Sequence, residues 1–175
     1  KSKLKLINIG RLTDQKNQIL ILKAINFLKK NLNLQLLILG KGKNYNKLKD
    51  YIHENKLNNF VNLLGYKKNP YPYIKQSDVF VLSSNYEGSP NVLIEAMYLK
   101  IPVISTNCPT GPKEILKNGK LGTLINTNNC NDLIRELYKF NKKKKKINSA
   151  YNSIKNYNWT INCQKYLELV KKIIY

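Results

Sequence analysis

The sequence predicts a doubly wound α/β domain, a mainly parallel six-stranded sheet with helices on both faces. Two observations lead there. Short apolar runs alternate with stretches of helical spacing, the pattern that parallel βαβ units require. Several of those runs end in glycine-bearing or polar loops, and in such sheets ligands sit beyond the carboxyl ends of the strands. At 175 residues a single domain is expected.

The elements follow in order. Residues 4–9 (LKLINI) are rich in Leu and Ile, as a buried parallel strand is, and Gly10 ends them. Residues 17–30 carry Ile19, Leu20, Leu22, Ala24, Ile25 and Leu28 at helical spacing. A second strand over 34–39 is closed by Gly40-Lys41-Gly42, a pair of glycines read here as a turn. A helix over 47–55, a third strand over 60–64 closed by Gly65, and a short turn or helix over 70–76 come next. Strands four to six are expected at 78–83, 101–106 and 122–125, and helices at 132–140, 147–157 and 161–174.

Composition limits the function classes. The chain is 42% hydrophobic, ample for a core, and no apolar run approaches the ~20 residues that span a bilayer. Residues 1–9 read as a strand rather than a signal peptide. The missing initiator Met is what a piece of a longer protein would show. Cys108, Cys130 and Cys163 are widely spaced, with no Cys-x-x-Cys pair. They predict neither a disulfide framework nor a zinc site, and a reducing, cytoplasmic setting.

The net charge of +21 invites a polyanion reading. Yet Arg occurs only at positions 11 and 135, and Asn, Ile and Tyr are abundant beside Lys, a bias that an AT-rich genome alone produces. The 142–146 lysine run reads as a solvated face or a phosphate-binding patch, and nucleic acid is not the expected partner. Anionic membrane lipid is a candidate weak partner, since lysine clusters gain about 1 kcal/mol each near such a surface.

Residues 81–116 carry the chemistry and read as strand, loop, helix, strand, loop, helix. Ser89 and Pro90 suit the N-cap and first position of a helix. Glu87 stands in the loop. Glu95 stands in the helix among Val92, Leu93, Ile94, Ala96 and Met97. A helix apolar nearly all round is expected to be buried, and a carboxylate within it needs a donor. Two partners fit: a hydroxylated or cationic ligand reached beside Asn91, or an internal lysine. The loops at Gly10-Arg11, Gly40-Lys41-Gly42, Gly65-Tyr66, 85–89 and 107–111 would line one sheet edge.

The stretch YEGSPNVLIEAM, with two glutamates separated by seven residues, resembles the signature of retaining family 4 glycosyltransferases. PVISTNCPTGPKEIL and GRLTDQKNQ are similar to other segments of that family, and the likeness covers most of the chain. The resemblance implies the C-terminal, nucleotide-sugar-binding half of a two-domain GT-B enzyme, with a UDP-sugar as substrate rather than cofactor. By it, Arg11 and Lys16 contact the diphosphate, with Gly10 at the end of the first strand, and Glu87 binds hydroxyls of the transferred sugar. Backbone amides along Gly88, Ser89, Pro90 and Asn91 approach sugar and phosphate, and Glu95 accepts the ribose hydroxyls. Gly65, Tyr66 and Lys67 border the base, with packing as the other reading of Tyr66.

No Asp-x-Asp tripeptide occurs, so no metal is expected and basic side chains would stabilise the leaving diphosphate. The resemblance further implies a front-face departure without an enzymic nucleophile. It also implies an acceptor, saccharide or lipid-linked, bound by an N-terminal half that is not in this chain. CPTGPKEIL points towards galactose-type or N-acetylhexosamine donors, and YNWT at 157–160 resembles the family's aromatic segment before its last helix. Apolar residues in that helix, from Ile161 to Ile174, would pack on the sheet or await a missing domain. His53 reads as a surface residue. A basic polyanion-binding module and a non-catalytic nucleotide-binding domain are the alternatives, and a GT-B phosphorylase would differ in preferring a sugar phosphate.

Overall fold

A computed structural model of the chain describes residues 3–142, together with Gln164 and Glu168. The helices expected at 147–157 and 161–174, the 157–160 segment, Cys163 and most of the lysine run lie outside the described residues. Six strands, β1 (Leu4–Ile9), β2 (Leu34–Leu39), β3 (Val61–Gly65), β4 (Val79–Leu82), β5 (Val103–Thr106) and β6 (Thr123–Ile125), form one sheet. Its order is β3-β2-β1-β4-β5-β6, and every adjacent pair is parallel. The expected sheet is thus present, and wholly rather than mainly parallel. Among the described residues no helix is long and apolar enough to cross a membrane.

Strand alternation divides the core into two layers. Leu4, Leu6, Leu34, Leu36, Ile38, Val79, Val81 and Ile104 point to one face. There they meet α1 (Gln18–Leu28), α2 (Tyr45–Glu54) and α6 (Cys130–Lys142). Ile7, Leu39, Phe80, Leu82 and Val103 point to the other, against α3 (Tyr71–Lys75), α4 (Asn91–Tyr98) and α5 (Pro112–Ile115). Asn8 continues the Leu4, Leu6 series but is polar. It is buried and donates from Nδ2 to Val81 O at 2.8 Å, joining β1 to β4 near their carboxyl ends.

The chain winds outward through β1, β2 and β3, then returns to pair β4 with β1. The loop after β1 leads to α1 on one face and the loop after β4 leads to α4 on the other. A crevice therefore opens between these two loops, the topological switch point of the sheet.

Two local expectations are corrected. Asn91 is the first residue of α4, and Pro90, at φ −74°, ψ 85°, occupies the cap position. Ser89 lies one residue too early and makes no capping bond. Backbone bonds between Glu87 and residues 109–110 hold the chain that leads into this position. Second, Gly40 and Gly42 are more than a turn. A Cβ at Gly40, where φ is +148°, would stand 1.9 Å from Gly10 O, and one at Gly42 would stand 2.3 Å from Leu12 O. The β2 loop lies directly on the β1 loop, with Leu12 N donating to Lys41 O and Asn44 N to Leu12 O.

Gly40→Ala should therefore lower unfolding free energy by roughly 3 kcal/mol, from overpacking and backbone strain. At Gly88 an added Cβ meets nothing within 4 Å, so Gly88→Ala should stay within about 0.5 kcal/mol of the parent. Urea unfolding of the two variants measures the contrast.

Candidate functional site

The site is assembled from loops that hydrogen bonds hold in register. Ser83 Oγ donates to Lys16 O at 2.7 Å, Asn85 N to Gln15 O at 2.8 Å, and Asn85 Nδ2 to Asp14 O at 2.9 Å. These bonds lock the β1 loop to the β4 loop across the switch point. On the other side Glu87 N donates to Pro109 O and Thr110 N to Glu87 O. A Cβ at Gly111, where φ is +86°, would stand 2.3 Å from Gly88 O, so that position requires glycine. Three loops thus converge on Glu87.

At their meeting point Lys16 Nζ lies 2.6 Å from Glu87 Oε1. Only 15% of the lysine side chain and 6% of the glutamate side chain are exposed. Ser84 Oγ donates to the same Oε1 at 2.5 Å, and Thr106 Oγ1 donates to Ser84 O at 2.6 Å, fixing that serine in turn. The lysine stem packs over Gly10. The structure thus joins two residues that the sequence placed on separate parts of a ligand. One carboxylate oxygen is saturated by a cation and a hydroxyl. Oε2 is left as the acceptor, and two of the three ammonium donors of Lys16 are not used by Glu87.

Arg11 is exposed at the start of the same loop, and Gln18 Nε2 binds its carbonyl at 3.0 Å. The N-terminus of α4 opens here too. Gly88, Ser89 and Asn91 are exposed, no side chain caps the helix, and Pro90 has no N–H to offer. Contrary to expectation, α4 is not buried all round: Asn91 and Tyr98 are exposed and Val92, Ile94 and Glu95 half-buried. Glu95 has no hydrogen-bond or ion-pair partner among the described residues. Desolvation pushes its carboxyl above the ordinary glutamate range. The internal-lysine partner considered for Glu95 is therefore found at Glu87 instead.

Gly65 ends β3, three strands from β4, and Tyr66 and Lys67 follow it. They connect to the centre through backbone bonds, Gly40 N to Gly65 O at 2.9 Å and Gly10 N to Leu39 O at 3.0 Å. Tyr66 is 65% exposed, which excludes the packing reading. The Lys67 ammonium stands 6.0 Å from the Tyr73 ring centroid. His53 is exposed in the last turn of α2, at the opposite end of the sheet, and takes no part.

Sequence reasoning missed Ser84 and Asn17, and named Asn85 and Thr110 only as members of the edge loops. Asn17 adopts a left-handed conformation at φ 47° and joins Asn85 Oδ1 at 3.0 Å. Asp14 also ties the β1 loop to α2. The Asn44 hydrogen bond and then Lys43 bring its carboxyl down to about 2. This depressed value favours the fold above the ordinary carboxylate range and is lost as pH falls towards about 2. Cys108 and Cys130 are free thiols, and burial raises both.

Removing one member of the Lys16–Glu87 pair leaves an uncompensated charge in a nearly dry position. Lys16→Met should cost about 3 kcal/mol of stability. The double variant with Glu87→Gln should cost less than the sum of the two single changes by about 1 kcal/mol or more. Additive effects in denaturant unfolding would mean that the contact is not energetically coupled.

The family described as glycosyl transferases group 1 matches residues 1–157. An uncharacterized glycosyltransferase of Methanocaldococcus jannaschii is 50% identical over 111 residues, 63% of this chain and 27% of that protein. The N-acetylgalactosamine-N,N'-diacetylbacillosaminyl-diphospho-undecaprenol 4-alpha-N-acetylgalactosaminyltransferase of Campylobacter jejuni is 34% identical over 132 residues, 75% of this chain and 36% of that enzyme. The chain therefore spans about a quarter to a third of the length of these relatives. A Staphylococcus aureus TarM mutant, crystallised with Fondaparinux, alpha-GlcNAc-glycerol and UDP, superposes with a TM-score of 0.85 at 26% identity. That likeness covers 94% of this chain and 35% of TarM. With a Rossmann-like sheet of GT-B type, the Glu87 to Glu95 motif at its switch point and a family match across most of its length, the chain belongs to the group 1 glycosyltransferases.

Proposed function

We propose that this chain is the donor-binding half of a retaining glycosyltransferase. It would serve transfer of a hexose or N-acetylhexosamine from a UDP-sugar to a saccharide or lipid-linked acceptor. The acceptor is held by a second domain, and turnover needs both walls of the cleft. The observation that carries this reading is the Lys16–Glu87 pair at the crevice between β1 and β4. Its lysine offers spare donors to a diphosphate and its glutamate offers Oε2 to a sugar hydroxyl. The chain's partial span of its relatives supports the two-domain arrangement, and the UDP complex of TarM supports the choice of nucleotide.

In this reading the diphosphate charge grows as the glycosidic bond breaks. Lys16, Arg11 and the uncapped N-terminus of α4 meet it with donors already oriented, so little reorganisation accompanies the step. Glu87, paired with Lys16, orients the sugar; it is not the nucleophile. The departing phosphate oxygen lies on the face from which the acceptor hydroxyl enters and takes up that proton. The metal-independent reading rests on these cations. The alternative for such a basic chain, a polyanion-binding module, has no comparable observation behind it.

Glu95 gives the reading its pH signature. Its raised carboxyl means that the folded state holds the proton more tightly than the unfolded chain does. Ionised Glu95 therefore opposes folding at neutral pH, and that opposition is relieved as pH falls through the raised value. Ribose hydroxyls donate to the ionised form, so UDP affinity should fall on the same acidification. Glu95→Gln should leave stability equal or higher while weakening UDP binding.

Calorimetric titration with UDP, ADP and GDP in the presence of EDTA is the direct test. UDP should bind selectively, and Glu95→Ala should abolish that binding. Arg11→Ala should weaken binding by roughly thirtyfold, about 2 kcal/mol for a charge-assisted hydrogen bond. No binding to any nucleotide, together with tight salt-sensitive binding to heparin or DNA, would replace the proposal with the polyanion alternative. Unchanged UDP affinity in Arg11→Ala, or unchanged UDP-sugar affinity in Glu87→Ala, would remove the assigned residue from the site.

A further inference from the structure

The edge of the sheet opposite the crevice carries a second pattern. In a parallel sheet every helix returns the chain to the amino-terminal ends of the strands. Lysines collect in these return segments: Lys3, Lys30, Lys56, Lys117 and Lys120 are all exposed there. Glu54, Asp78 and Glu114 are described acidic residues near them, and Asp78 accepts a backbone N–H from Lys5 at 2.8 Å. On α1, Lys23, Phe27 and Lys30 stand at i, i+4 and i+7, one stripe of the helix. All three are exposed, Phe27 by 62%. The end of α1 is held in place by Asn26 Nδ2 donating to Asn55 Oδ1 at 3.0 Å and Lys29 Nζ to Asn55 O at 2.6 Å.

Helix α6 packs beside α1 and also runs back towards this edge. It ends at Lys142, the first of five consecutive lysines in the sequence.

We infer that this edge is a docking surface for an anionic lipid bilayer, with Phe27 entering the interface and the flanking lysines meeting the headgroups. Lysines near a helix C-terminus complement the macrodipole, but that role does not call for an exposed phenylalanine between them. An aromatic side chain flanked by cations is the arrangement that an interfacial helix presents to a membrane. A nucleic acid would draw on the charge alone and gain nothing from burying Phe27 in an acyl layer. The surface lies at the far end of the sheet from Lys16 and Glu87, so docking leaves the crevice open. The inference is independent of the nucleotide reading.

Flotation with phosphatidylcholine vesicles, with and without phosphatidylglycerol, tests it on the whole chain. Binding should require phosphatidylglycerol and weaken with salt. A Lys23→Glu, Phe27→Ala, Lys30→Glu variant should lose at least roughly tenfold in vesicle affinity. A variant with the same charge change elsewhere, Lys49→Glu and Lys68→Glu, should lose distinctly less, and Phe27→Ala alone should weaken binding without altering charge. UDP titration should be the same in all of them, so a failure here is separable from a failure of the donor site. Equal loss in the two charge variants, or no vesicle binding by the parent chain, would overturn the inference. So would binding to DNA that persists in Phe27→Ala when vesicle binding is absent.

Discussion

Lys16 and Glu87 are separated by 71 positions in the chain, yet their 2.6 Å contact is the point on which three loops depend. A lysine ammonium with 15% of its side chain exposed would be strongly disfavoured without a carboxylate, and the carboxylate would be disfavoured without a cation. Their burial is possible only because Ser84 and Gly10 close around them and Thr106 holds Ser84. The pair fixes the spacing of the β1 and β4 loops and, through Glu87 backbone bonds, that of the β5 loop. The same geometry keeps one carboxylate oxygen and two ammonium donors available, so the interaction that orders the site also equips it.

Close backbone approach extends this order across the sheet. Gly40 lies where a Cβ would coincide with Gly10 O, and Gly40 N reaches Gly65 O. The loops after β3, β2 and β1 are therefore joined main chain to main chain. A ligand lying along this edge would meet a continuous strip, from exposed Tyr66 past Gly40 to Arg11 and Lys16, with little side-chain rearrangement. Preorganisation of this kind lowers the ordering entropy of binding.

The fold was legible because burial on both faces of a parallel sheet forces apolar runs with little polar interruption. Strands β1 and β2 were read with the bounds that the structure shows, and the other elements bounded within residues 3–142 were read to within a few residues. The motif loops were legible because Arg11 is one of only two arginines and because Glu87 and Glu95 interrupt apolar surroundings. What was not legible depended on distance in the chain. Lys16 looks like any other lysine until Glu87 is brought beside it, and Ser84 looks like any loop serine until Thr106 is beneath it. Gly40 and Gly42 read as a turn because the atoms that forbid a side chain belong to residues 10 and 12. The entry of α4 was misplaced by one residue because the 109–110 pairing is invisible locally.

Two groups run against the stability of the domain, and their positions carry an argument about its use. Asn8 places a polar side chain in a row otherwise filled by Leu4 and Leu6, and its Oδ1 is buried without a partner. Glu95 holds a half-buried carboxylate against desolvation with no cation to compensate it. An apolar residue at position 8 and a glutamine at position 95 would suit folding better. Both lie near the crevice end of the sheet, one at the end of β1 and one in the helix that follows β4. The ion pair at Glu87 shows that this chain can neutralise a buried carboxylate with lysine. At Glu95 it has not done so, although lysine is abundant throughout the sequence. An acceptor kept free at the expense of stability is the mark of a position adapted to an external donor rather than to the fold.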